Sequence, residues 1–386
     1  MKRLAASFLL VFVSVVCSAK ILRVPQDYPT PQAAVDASVS EDTILIAPGL
    51  YKVPARPFLL DNGNTVMVGL ALHDGTTLEG SGPAQTVLFF KNALFGIVVQ
   101  DATVTIKLLQ VQNARNMIFA YMGGAMTVKN VIATKQSGAL CQKNPSWCSG
   151  IIGDQGISYT VYNSVLDKMP YSYPGLGVDF WGTSDLENNI VTGSYWGVNF
   201  YYYLPGGASY NDVFHAKVWD WSYCVDNSSC SQMDPLPTNV SFDPLYCPDY
   251  TLQTSSRAIH AGNPAILNPD GTRSDMGAYG GPDAIQPPVI ATPCVVNFGK
   301  VAVGTTAQIT MQLFSTTGVD QTLKSFKFAG FPPFNYVGQI PGSILPSGTN
   351  LTFSFTPTRK GSSSGKVQVL TPNPFPITIL LKGKGF

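Results

Sequence analysis

Between residues 125 and 204 the alternation of apolar and polar positions is short, and it keeps restarting. Val128-Lys129-Asn130, Val161-Tyr162-Asn163, Leu186-Glu187-Asn188 and Ser209-Tyr210-Asn211 each end in an asparagine with an apolar residue soon after, and the asparagine steps are 33, 25 and 23 residues. A second short strand pattern follows each of the first three: Ser149-Gly-Ile-Ile-Gly-Asp154, Gly177-Val-Asp-Phe-Trp-Gly182 and Gly197-Val-Asn-Phe-Tyr-Tyr202. Strand pairs recurring at twenty-odd residues mark a solenoid, in which each coil buries its inner face only by stacking on its neighbours. The pattern predicts a parallel β-helix. Asn130, Asn163, Asn188 and Asn211 are expected at the bends, where an amide side chain tolerates left-handed geometry and bonds nearby backbone. Piled coil on coil, these amides would also bond one another in a ladder.

The same period-two signal runs beyond this stretch. Strands are expected near 21–24, 41–47, 65–69, 77–80, 86–90, 96–100 and 103–111. Thr30 and Pro31 offer an N-cap and a first helical position for a short helix over 32–38, placed to cover the open end of the coils. Two excursions interrupt the repeat, 139–149 and 168–175, and long loops on a solenoid commonly border its binding face. After residue 284 a proline-rich linker, 285–291, leads to about 95 residues of short alternating strands such as Val296-Asn-Phe-Gly299 and Leu351-Thr-Phe-Ser-Phe-Thr-Pro357. Their pattern suggests an immunoglobulin-like sandwich over 292–386.

Composition agrees with an all-β chain: charged residues make up only 12% of the 386, with glycine and proline plentiful. No basic stripe is present, which argues against nucleic acid as a partner. Met1-Lys2-Arg3, the apolar run 4–16 and the small residues Cys17-Ser18-Ala19 read as a secretory signal peptide over 1–19, too short for a membrane span. No later segment is long and apolar enough to cross a bilayer, so the expected location is extracellular or at the cell surface. Removing Lys2 and Arg3 leaves 22 basic against 23 acidic residues. Six cysteines remain, which allow 15 pairings; proximity suggests Cys141 with Cys148 and Cys224 with Cys230, each pinning a loop.

Here a resemblance becomes specific. Val24-Pro25-Gln26-Asp27-Tyr28-Pro29-Thr30, Gln32-Ala33-Ala34-Val35-Asp36-Ala37 and Ile46-Ala47-Pro48-Gly49-Leu50-Tyr51 resemble the opening of secreted right-handed parallel β-helix proteins of the pectin lyase-like superfamily. Asp243-Pro-Leu-Tyr246, Asp249-Tyr250-Thr251-Leu252, the run Ser256-Arg257-Ala258-Ile259-His260-Ala261-Gly262 and Asp275-Met-Gly-Ala-Tyr-Gly280 are similar to their closing segment, except that His260 stands where an aspartate is usual. The C-terminal strands resemble abnormal-spindle/hydin-like Ig modules. Together these resemblances imply a right-handed β-helix over 20–284 and an Ig-like module beyond it. They imply a protein that binds or processes extracellular polysaccharide, with a cell-surface partner for the Ig-like module.

Strand alternation then sorts faces. With Ile118, Ile151, Val178 and Val198 aligned inward, the outer columns become Phe119, Ile152, Asp179 and Asn199, then Tyr121, Asp154, Trp181 and Tyr201, with Tyr203 following. Rings stack on sugar C–H faces while Asp and Asn bond hydroxyls, so this face is a candidate polysaccharide groove. Stacked rings also stabilise a sheet without any ligand, which is the structural reading of the same residues. A uronate lyase would need a base and a cation at the carboxylate. Asp179 and Asp154 are the available calcium ligands, with Lys168 or Arg115 as base. A hydrolase would need paired carboxylates, for which Asp179 with Asp185 or Glu187 is the available set. Polygalacturonase-like and pectin methylesterase signatures are missing, so a binding-only protein and a non-catalytic surface or matrix interaction protein stand beside the enzyme readings.

Overall fold

The computed structural model describes residues 19–143, 148–154, 156–169, 171, 176–178, 184–201, 207–225, 229–373 and 376–386. All of the expected signal peptide except its last residue lies outside them. The chain is all-β with long parallel sheets. It passes through three parallel ladders in turn and returns to the first one strand further along, an arrangement consistent with a parallel β-helix.

The first ladder stacks Thr65–Leu72, 95–100, 116–121, Ser149–Asp154, Leu176–Val178, Trp196–Tyr201 and Trp219–Cys224. The second runs from Ile21–Val24 through Thr43–Ile46, Thr77–Gly80, 105–107 and 124–129 to Ser158–Tyr162, Ser184–Glu187 and Ala208–Ser209. The third holds Gly49–Pro54, Thr86–Lys91, Gln110–Gln112, Ile132–Thr134, Val165–Asp167, Ile190–Thr192 and Asp212–Phe214. Phe95–Lys107 and Asn116–Lys129 each serve two ladders, bending at Asp101 and at Met122-Gly123-Gly124, where φ is positive.

Register turns the sequence pattern into files of like residues. Ile97, Ile118, Ile151, Val198 and Trp221 follow one line in the core; Ile106, Val128, Val161, Leu186 and Ala208 form a second line, and Val111, Ala133, Leu166, Val191 and Val213 a third. Each buried Val, Leu or Ile contributes about 1.5–3 kcal/mol of transfer free energy, and no single coil could collect it alone. The expected helix is Pro31–Ala37, with Thr30 Oγ1 accepting from the Ala33 N–H at 3.1 Å. It plugs the first coil with Ala34 and Val35, both fully buried against Leu22 and Ile44.

Asn130, Asn163 and Asn188 fall in one file at the bend between the second and third ladders, all with positive φ. Asn211 does not belong to that file: Tyr210 takes the left-handed position, and Asn211 comes one residue later, level with Asn189. Two adjacent asparagine columns share this bend, and a motif read only for its asparagine merges them. Instead of bonding mainly one another, the left-handed three clasp the closing segment. Asn130 Nδ2 donates to the Ala278 and Gly280 carbonyls at 3.1 and 2.8 Å, and Asn163 Nδ2 to Asp275 O at 2.9 Å; Asn188 Oδ1 accepts from Asn263 N–H at 2.7 Å. That segment covers the outer face of the third ladder, where Tyr250, Met276, Ala278 and Tyr279 pack on Ile132, Val165 and Ile190.

The last hundred residues form two four-stranded sheets around a second core built from Phe334, Phe353, Phe355, Val367, Ile379 and Leu381. Its first strand, Val289–Thr292, takes in the last residues of the expected linker, because Val289 is buried in that core. Cys141–Cys148 and Cys224–Cys230 are bonded as expected, and Cys247–Cys294 ties the closing segment to the C-terminal sheets.

Candidate functional site

Alternation along the first ladder sends Ala71, Val98, Phe119, Ile152, Gly177, Asn199 and Ser222 outward as one file. Gln100, Tyr121, Asp154, Tyr201 and Cys224 form the next outer file. The register corrects the sequence alignment at one coil. Leu176, not Val178, pairs with Ile151 and Val198, so Gly177 takes the position assigned to Asp179. A slip of two residues leaves every side chain on its own face, so alternation cannot detect it.

The described part of this outer face has a cleft of about 200 Å³. Its floor is Ala71 and Val98, one wall is Phe58, and His73, Asp74, Gln100 and Asp101 stand at its mouth. Phe58 is carried by Arg56–Leu59, which pairs antiparallel with Thr65–Leu72 and so raises a rim beside the ladder. The apolar floor continues sideways: Phe119 packs on the Val98 cluster, stacks on Phe95 at 4.5 Å between centroids and lies 6.0 Å from Tyr121. Phe95 and Phe119 stay half-buried, leaving ring surface for a ligand, whereas Tyr121 is nearly covered.

Hydrogen bonds fix the polar rim. Asp74 Oδ1 accepts from the Thr103 N–H at 2.7 Å, and Gln100 Oε1 accepts from Asp61 N–H at 3.3 Å. Asp101 has φ +46, and its Oδ1 lies 3.2 Å from where a Cβ on Gly123 would sit, so that glycine makes room for the carboxylate. Periodicity does not mark Phe58, Asp74, Gln100 and Asp101, because the hairpin that makes the rim is a tertiary event. Trp196 stacks on Trp219, 5.3 Å apart, and the signal for it in the sequence is that both begin first-ladder strands one coil apart.

The predicted site residues separate. Asn199 keeps its outward position but is fully buried, its Oδ1 accepting from Ser222 Oγ at 2.6 Å. Tyr201 is half-exposed in the same file as Tyr121. Asp179, Trp181 and Tyr203 lie outside the described residues, as does the side chain of Asp154, and with them the expected calcium ligands. Among the described residues no group of three or more Asp, Glu, His or Cys side chains converges as a metal site.

Lys168 stands at the end of the third ladder, not the first. Its Nζ lies 2.9 Å from Asp167 Oδ2 and donates to Tyr250 OH at 3.2 Å, so an ion pair and a hydroxyl hold it, away from the cleft. The Tyr250 OH donates to Asp167 Oδ2 at 2.9 Å and lies 2.6 Å from Thr134 Oγ1, and Thr192 Oγ1 donates to Asp167 Oδ1. Burial first, then the Asp167 charge, raises the Tyr250 phenol. This network latches the closing segment. Asp185 and Glu187 face outward from the second ladder, where Tyr162 OH donates to Asp185 and Asn263 Nδ2 donates to Glu187 Oε1. The His260 main-chain N–H donates to Asp275 Oδ1 at 2.7 Å, a bond independent of the side chain, while the imidazole Nδ1 lies 3.1 Å from Arg273 O.

No family model and no curated protein matches the chain. Solved structures do. The A-module of mannuronan C-5 epimerase AlgE4 from Azotobacter vinelandii is 19% identical, with 49% of this chain and 54% of that one covered and a TM-score of 0.38. The ASH/PapD-like domain 7 of human CEP192 is 14% identical, with 27% of this chain and 91% of that one covered and a TM-score of 0.22. The chain spans about half the length of the epimerase module. Likenesses of this strength leave function to the residues of the site.

Proposed function

We propose that this chain is an exported right-handed parallel β-helix with a C-terminal Ig-like module, and that the outer face of its first ladder binds extracellular polysaccharide. The observation that carries the reading is the cleft whose apolar floor runs into the half-buried Phe95–Phe119 stack while Asp74, Gln100 and Asp101 line its mouth. Ring faces against C–H surfaces and carboxylate or amide groups against hydroxyls are the two contacts a sugar requires, and pockets of this kind combine an apolar body with a few placed polar groups. Asp154, Asp179, Trp181, Tyr201 and Tyr203 would extend the same face along later coils, with the nearly covered Tyr121 and the buried Asn199 supporting it from beneath. Three disulfides fit an oxidising compartment, and among the described residues no helix is long and apolar enough to cross a membrane.

Binding is the activity these groups support, and the described residues that line the cleft include no lysine or arginine. The test is retention of the purified chain on a panel of immobilised glycans, with Phe119→Ala and Asp101→Ala as variants. Retention that falls at least tenfold in either variant, with unchanged circular dichroism, supports the reading. Equal retention by folded Phe119→Ala and Asp101→Ala overturns this cleft as the site. No retention on any glycan favours the interaction-protein reading, with the coils as a rigid rod.

A further inference from the structure

The first ladder differs from its neighbours in charge. Its strands carry no lysine or arginine over 65–72, 95–100, 116–121, 149–154, 176–178, 196–201 and 219–224, whereas the second ladder carries Arg23, Lys107 and Lys129 and the third Lys52 and Lys91. Between Lys168 and Lys217 the sequence contains no basic residue other than His215, although it crosses two more first-ladder strands and their connections. At the cleft mouth the formal charges are the carboxylates Asp74 and Asp101, both exposed, with His73 beside them. Asp74 gives one oxygen to Thr103 N–H, and Asp101 points over Gly123. Arg56 on the rim strand is paired with Asp36 at 2.7 Å.

Resting on the polysaccharide reading above, we infer that this cleft takes an uncharged glycan and discriminates against uronates and sulfated sugars. A neutral sugar presents hydroxyl donors to Asp74, Asp101 and the Gln100 amide and loses nothing to repulsion. A uronate brings its own carboxylate to a mouth already negative, and like charges meeting at a binding face are the usual way to reject a wrong partner. Calcium would have to bridge a uronate to Asp74 or Asp101, and the calcium and chelator arms of the experiment separate that route from direct binding.

The test compares immobilised neutral glucan, xylan and mannan with polygalacturonate, polymannuronate and chitosan, each at low and high salt and with calcium or chelator. The expected result is retention on a neutral glycan that changes less than twofold with salt, and at least tenfold weaker retention on either uronate with or without calcium. Asp74→Asn/Asp101→Asn should raise low-salt uronate retention several-fold. Uronate retention equal to or stronger than neutral, and lost in Phe119→Ala, overturns the charge inference while leaving glycan binding intact. Preferential, salt-released retention on chitosan reassigns the ligand as cationic and overturns it as well. No retention on any glycan removes the polysaccharide reading and this inference with it.

Discussion

Asn211 Oδ1 accepts both the main-chain and the side-chain N–H of Asn189, each at 3.0 Å, from one coil to the next. The file extends both ways: Asn189 Oδ1 accepts from Ser164 N–H at 3.0 Å, and Asn239 Oδ1 accepts from Asn211 N–H at 2.9 Å and from its Nδ2 at 3.0 Å. Asn211 Nδ2 also donates to the Leu186 carbonyl at 2.8 Å, and the residue is fully buried. Truncation to alanine therefore strands several buried partners at once. Each unsatisfied buried group costs about 1–3 kcal/mol, so Asn211→Ala is expected to lose about 2–4 kcal/mol in urea unfolding. Asn62→Ala, on the exposed hairpin turn, should change stability by less than about 0.5 kcal/mol. Equal effects of the two would remove the ladder as a source of stability.

Asp212 follows Asn211 as the first residue of a third-ladder strand, fully buried, with Oδ1 accepting from Phe242 N–H at 3.1 Å. Burial pushes its carboxyl up to about 7; Asp220 and Asp243 add to the rise, while the Phe242 bond and Arg257 oppose it. The folded chain then holds a proton that the unfolded chain releases near pH 4. Its contribution is complete below that pH and is lost as pH climbs through about 7. Asp212→Asn keeps the acceptor for Phe242 and never ionises. The variant should melt close to wild type at pH 4 and several degrees above it at pH 8. A melting difference that is flat across this range would show that Asp212 does not titrate in the folded chain as described.

Cys247 lies in the closing segment and Cys294 in the bend just after the first C-terminal strand, 47 residues apart. Closing a loop of that length restricts the unfolded chain by about 4 kcal/mol on the loop-entropy argument, with measured values usually nearer 2–4. Cys247→Ser/Cys294→Ser should therefore lower the unfolding midpoint and expose the closing segment to protease before the ladders open. Hydrogen exchange resolves the order. If the second core and the coils lose protection together and by the same amount, the bridge acts globally and not at this junction.

The all-β parallel stacking, the capping helix and two of the three disulfides were legible because each is local. Asn163 and Asn188 repeat at a coil's length, Thr30 precedes Pro31, and Cys141 and Cys224 each have a partner within seven residues. What stayed hidden is set by contacts distant in sequence. The two-residue slip at Gly177 leaves the inside–outside alternation untouched. Asn211 looks like Asn188 until register assigns it to the neighbouring file. Asn199 alternates outward like a solvent residue and is buried all the same. The cleft depends on Phe58 folding back over Ala71, which no periodicity encodes, and on a bend at Gly123 whose importance lies in the carboxylate beside it.

That bend supplies the last test. Gly123 has φ +85, and a Cβ there would stand 3.2 Å from Asp101 Oδ1, close enough to displace a side chain but not to block the fold. A left-handed alanine costs about 1–2 kcal/mol. Gly123→Ala should therefore fold with a modest drop in stability and turn the Asp101 carboxylate away from the cleft, weakening glycan retention several-fold. Gly124 is a different case: its Cβ would lie 2.2 Å from the Ala102 carbonyl, so Gly124→Ala should disrupt the pairing of the two coils and lose stability outright. Retention and melting measured together separate the two effects. If Gly123→Ala loses stability as expected yet binds glycan as well as wild type, Asp101 does not contact the sugar.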